Sequence, residues 1–166
     1  MLSIECPDFF EKIKQKFSYL FDLYGFEVIY SKSTQGGQHS LIILESKDCR
    51  IKFYRSSGEA NLLFGTLSAP IGWEDVIDGI RYWYYVLGLI DFVQKNPVNA
   101  KELLNRARTS PTEEQQLAEL SAKLKPICEQ IIVLFKGDNI KQWIGEYEQF
   151  EKEQDEEFQR QFENLK

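Results

Sequence analysis

FEVIYSKSTQGGQHSLIILESKDCRIKFYRSSGEANLLF, residues 26–64, is the stretch whose reading decides the fold. Phe26, Val28 and Tyr30 alternate with Glu27, Ile29 and Ser31, the period of two that sends successive side chains to opposite faces of a strand. Residues 39–45 (HSLIILE), 50–55 (RIKFYR) and 60–64 (ANLLF) are three further apolar runs of strand length. QGGQ, SKDC and SSGE lie between the runs, and such short connections join antiparallel neighbours, because a parallel pair needs a long crossover. The expectation is a four-stranded antiparallel meander.

Toward the N-terminus, Phe9, Phe10, Ile13, Phe17, Leu20, Phe21 and Tyr24 recur at three- and four-residue steps, which predicts one amphipathic helix. Asp8 and Glu11 have the spacing of a capping box, and Gly25 suits the stop. Beyond the sheet, Pro70 and Gly72 end the strands, and Trp73 is expected to open a helix over residues 73–94 with Glu74, Asp75 and Asp78 in its first turn. Asn99 with Glu102, and Ser110-Pro111 with Glu113, predict a short helix near 100–107 and a longer one over 112–135, bent at Pro126. After Gly137, Asp138 and Asn139, the side chains Trp143, Tyr147, Phe150, Phe158, Phe162 and Leu165 line a last amphipathic helix, about 40 Å long at 1.5 Å per residue. Its first half is expected to pack and the part after Gln154 to fray.

The layout is α+β: one domain over 1–166, with a helix and four-stranded sheet in 1–68, a helical layer on one sheet face in 69–137, and an acidic amphipathic helix in 138–166. Of the net charge of −6, residues 138–166 hold −5, from nine acids and four bases, so the body is nearly neutral. A duplex-binding protein presents a basic stripe, and none is formed here; Lys12, Lys14 and Lys16 read as a solvated helix face, and no nucleic-acid partner is expected. The start of the chain carries acids and lacks the basic lead and apolar run of a signal peptide. No apolar stretch approaches membrane-spanning length, so the expectation is a cytoplasmic protein with no membrane partner.

Catalytic chemistry has little to work with. His39 is the single histidine, so no imidazole pair can hold a metal, and its place beside a turn suits a hydrogen-bonded side chain. Cys6, Cys49 and Cys128 are widely spaced and read as reduced, buried thiols. Gly36 and Gly37 lack the surroundings of a phosphate loop and read as hairpin glycines. Glu45, Glu59, Asp78 and Asp91 do not specify a convergent acid pair; Asp91 amid Leu87, Ile90 and Phe92 is the candidate for a buried carboxylate. We therefore assign no catalytic residue, no metal and no cofactor from sequence.

Residues 80–93, IRYWYYVLGLIDFV, would surround a helix with apolar and aromatic groups on nearly every side. Such a helix is buried all round, either in its own domain or against a partner. Tyr82, Trp83, Tyr85 and Leu89, with Trp143, Tyr147 and Phe150 of the last helix, form the candidate protein interface, and a homodimer is its simplest version. Gly79 and Gly88 would let another backbone approach. A pocket between the sheet and the predicted Trp73 helix, near Tyr54, Trp73, Asp78 and Arg81, is the candidate for a small-molecule binder or an enzyme.

The stretch that begins FDLYGFEVIYS, continues through HSLIILESKDCRIKFYRSSGEANLLFG and ends in GWEDVIDGI resembles small bacterial α+β proteins, some of which accompany toxins as immunity factors. The resemblance covers the first half of the chain and rests on Gly25, Phe26, Ile51, Phe53 and Trp73. It transfers no site residue; the expectation of a non-enzymatic protein-binding or assembly module, immunity-like or regulatory, comes from the aromatic run and the acidic last helix, with a homo-oligomeric structural protein as the alternative beside the small-molecule binder or enzyme.

Overall fold

The computed structural model describes residues 3–166. Two helices, α1 (Pro7–Lys16) and α2 (Ser18–Asp22), lead into the meander β1 (Glu27–Thr34), β2 (His39–Glu45), β3 (Arg50–Ser56) and β4 (Glu59–Gly65). A two-stranded ribbon, β5 (Val76–Ile77) and β6 (Ile80–Arg81), precedes β7 (Trp83–Tyr85), which pairs with β4 and brings the antiparallel sheet to five strands in the order β1-β2-β3-β4-β7. The helical half follows as α3 (Val86–Gln94), α4 (Ala100–Thr109), α5 (Glu113–Leu124), α6 (Cys128–Phe135) and α7 (Ile140–Asn164). The α+β class and the antiparallel meander stand as read from sequence.

The largest departure is the helix expected over residues 73–94, of which only Val86–Gln94 is helical. Asp78 (φ 52°) and Gly79 (φ 79°) both occupy the left-handed region, and Ile77 pairs with Ile80 across them. This is a two-residue Asp-Gly hairpin turn, whose two positive φ angles match the twist of paired strands. Trp83, Tyr84 and Tyr85 then continue as strand, where large aromatics pack well on a pleated surface. Asp78 therefore stands at a hairpin turn and not in a first helical turn, and Arg81 reaches Glu151 on α7 at 2.8 Å.

Smaller departures have local causes. The N-terminal helix breaks at Phe17 (φ −120°, ψ 34°), whose buried ring meets Phe53 edge-on at 4.8 Å between centroids. Asp8 makes no cap; it faces Arg55 instead. The cap of α5 is Thr112, in a reciprocal capping box with Gln115, two residues later than the Ser110 cap suggested by its spacing to Glu113. Asn99 caps α4 through the Glu102 amide, and Pro126 lies in a 3₁₀ turn between α5 and α6, as anticipated. Past Gln154, α7 stays docked: the Gln161 side chain accepts from Ala100 N at 2.8 Å and donates to Val98 O at 3.0 Å.

Register divides the sheet into two faces. Ile42, Leu44, Ile51, Phe53, Leu62, Phe64 and Tyr84 fall on one, and there they meet Phe9, Ile13, Phe17 and Leu20 of α1 and α2 together with the C-terminal helices. Tyr84, Phe92, Phe135, Trp143 and Tyr147 interlock on that side, mostly edge-to-face, at 5.1–6.5 Å between centroids. Leu41, Ile43, Leu63, Ala69 and Trp83 form a smaller core on the opposite face. A segment over residues 66–82 folds back over part of this second face and leaves the rest open.

Candidate functional site

The second face acquires its shape from one lysine. Lys52 stands mid-strand in β3 between Ile51 and Phe53, so the strand period sends it away from the main core, opposite Ile43 and Leu63. Its side chain is nonetheless 1% exposed. The ammonium lies 2.6 Å from Asp75 Oδ1 and donates to the carbonyls of Gly72 (3.2 Å), Trp73 (3.4 Å) and Glu74 (3.4 Å). It also sits over the Trp83 ring, 4.8 Å from the centroid. Asp75 Oδ1 is itself buried without a well-formed hydrogen bond, so the ion pair with Lys52 is what compensates its charge. Burial pulls the Lys52 pKa below its ordinary value, and Asp75 opposes that shift.

Two further bonds fix the covering segment. Arg50 Nη1 donates to Ala69 O at 2.6 Å and Trp83 Nε1 to Pro70 O at 3.0 Å. Gly65 lets the segment turn this closely against the sheet, since a Cβ there would stand 2.7 Å from Ala69 Cβ and 2.9 Å from Trp83 Cε3.

Beside this anchor lies a cavity of about 230 Å³ lined by Leu41, Lys52, Tyr54, Ser56, Glu59, Trp73, Asp75 and Tyr85. Leu41 forms an apolar floor, and Tyr54, Trp73 and Tyr85 are aromatic walls. The Tyr54 hydroxyl donates to Glu59 Oε1 at 3.1 Å. Its pKa is raised by burial first, with the neighbouring Tyr85 and Glu59 acting in the same direction. His39 Nδ1 shares a hydrogen bond with Ser56 Oγ at 2.8 Å at the end of the same face.

Of the pocket residues expected from sequence, Tyr54 and Trp73 do line this cavity, whereas Asp78 and Arg81 lie outside its lining, at the hairpin turn and against α7. Of the expected interface residues, Trp83, Leu89, Trp143 and Tyr147 are buried within the chain's own cores. Tyr85 is exposed, while Tyr82 and Phe150 are half-buried. Gly88 admits a side chain of the same chain: a Cβ there would lie 2.2 Å from the Tyr147 hydroxyl. Asp91 is exposed and accepts from the Asn96 side chain at 3.0 Å, so it is no buried carboxylate.

Cys6, Cys49 and Cys128 are unpaired and buried; burial raises all three thiols, Cys49 and Cys128 to about 12. Sequence reading missed Lys52, Glu59, Asp75 and Tyr85 as pocket residues, although the Asp78-Gly79 turn signal was available to place Tyr85 on a strand. Among the described residues, no helix is long and apolar enough to cross a membrane, and no three His, Cys, Asp or Glu side chains gather as a metal cage. No family model, curated protein or solved structure matches the chain.

Proposed function

We propose that this chain is a non-enzymatic protein-binding module that meets its partner through residues 66–85. One observation carries the reading: among the described residues, six of the ten large apolar side chains left exposed, Leu67, Ile71, Trp73, Val76, Ile80 and Tyr85, fall in this one segment, whereas Leu23, Leu103, Val133 and Leu165 stand singly elsewhere. Scattered single apolar residues are ordinary on a surface; their concentration in one anchored segment marks an interaction site.

Charge gives the partner's chemistry. Lys52 is held by Asp75 and Arg81 by Glu151, so the exposed Glu74 and Asp78 set the sign of this surface. A second copy would bring like charges together, whereas a partner with apolar anchors in a basic rim would be complementary. The likeness to small bacterial proteins that accompany toxins suggests an immunity or regulatory role as the form of this module. Three unpaired, buried cysteines support placing it in a reducing cytoplasm.

The test compares the tagged wild-type chain with Ile71→Ser/Val76→Ser/Ile80→Ser in capture from host lysate, with solution mass and thermal melting of each. The expected result is a stoichiometric basic partner on the wild type only, with both proteins melting alike. Equal capture by both would overturn the assignment of the surface. A wild-type homodimer dissociated by the triple substitution would replace the partner by a second copy.

A further inference from the structure

We propose that the Tyr54–Trp73–Tyr85 cavity is a receptor for an organic cation, an alkylated ammonium or guanidinium head; naming the partner's side chain as the source rests on the protein-binding reading above. The cavity is small: about 230 Å³ lies below the range of about 300–1,000 Å³ typical of pockets for drug-sized ligands and cofactors, and suits a compact head group. Three of its lining residues, Tyr54, Trp73 and Tyr85, are aromatic, the side-chain class that attracts cations.

The polar groups select the same sign. The two carboxylates in the lining, Glu59 and Asp75, face a single cation, Lys52, and Lys52 is already held by Asp75 and by three main-chain carbonyls. That leaves the charge of Glu59 uncompensated by any base in the lining. Glu59 accepts from the Tyr54 hydroxyl and is otherwise exposed, so it can meet an incoming ammonium at the mouth. An anion would confront two carboxylates, and the buried lysine offers it no free donor. Trp73 and Tyr85, at 42% and 43% exposure, keep a large part of their surface in water, and a bound head group would cover it.

The molecule already makes this kind of contact a few residues away, where the Lys52 ammonium sits 4.8 Å from the Trp83 ring centroid.

The test titrates the full chain with tetramethylammonium, choline and Nα-acetyl-lysine methylamide, and with 3,3-dimethylbutanol as the neutral isostere of choline. Tryptophan fluorescence and amide chemical shifts give the readout. Binding of the cations is expected to shift signals of Trp73 and Tyr85, and the neutral isostere should bind about tenfold more weakly. Trp73→Ala and Tyr85→Ala should abolish the response, and Glu59→Gln should weaken it several-fold, all three with wild-type melting curves. Equal affinity for the neutral isostere, or no shift at these residues, overturns the proposal and leaves the capture result untouched. If cations bind but do not release the captured partner, or no partner is captured, the source is a free small cation and not a partner side chain.

Discussion

Replacing Lys52 by Met tests the anchor on which the whole second face depends. The substitution keeps the apolar stem and removes the ammonium, leaving Asp75 and the carbonyls of Gly72, Trp73 and Glu74 without their donor. Removing one partner of a fully buried pair costs about 3–5 kcal/mol. The Asp75 side chain is 29% exposed, so water recovers part of its solvation and we expect about 2–3 kcal/mol. At a urea m value of about 2 kcal/mol/M, that is a fall of about 1–1.5 M in the unfolding midpoint followed by circular dichroism. Lys52→Met/Asp75→Asn should recover at least about 1 kcal/mol relative to the sum of the single variants, because the two groups act on one another. Hydrogen exchange should accelerate at the Tyr82 amide, which donates to Asp75 O at 2.9 Å inside the anchored segment. A midpoint shift under about 0.3 M, or strict additivity of the pair, would refute the view that this lysine holds the segment to the sheet.

Gly88→Ala should cost about 2 kcal/mol by forcing Tyr147 out of place, and adding Tyr147→Phe should recover most of it, since the ring carbon stands at an ordinary 3.4 Å; urea denaturation of the three proteins checks this. Arg55, bonded to Asp8 at 2.9 Å and 3.1 Å, holds that carboxyl below its ordinary 3.8. A depressed folded pKa gives stability that is complete above the unfolded value and lost as pH falls through the folded one. Asp8→Asn should therefore flatten the acid limb of a melting profile below about pH 4, by no more than about 1 kcal/mol because Asp8 is largely exposed. With the thiols of Cys49 and Cys128 pushed up to about 12 by burial, iodoacetamide at pH 8 should leave both unmodified in the native protein and label them in urea, as read by mass spectrometry.

The meander from β1 to β4 was legible because its information is local: each strand carries its own period, and SSGE closes through Ser57 and Gly58, both at positive φ, with Ser56 paired to Glu59. The class of the helical half was legible for the same reason, down to the Asn99 cap. The aromatic run at 82–85 was not, because Tyr and Trp satisfy a buried helix face and a strand equally well. Choosing between them depended on the Asp78-Gly79 turn and on the pairing of Trp83 with Gly65, eighteen residues earlier in the chain.

The candidate site lies almost entirely on the nonlocal side of that divide. A lysine between Ile51 and Phe53 reads as the solvated outer residue of a strand, and it becomes buried only because residues 72–75 fold back and surround its charge with oxygen atoms. The sequence by itself determined two apolar periods, and with them a sheet with helices stacked on one face. Tertiary structure alone decided that the other face would be partly covered, since a buried ammonium is stable only when acceptors from distant parts of the chain arrive together.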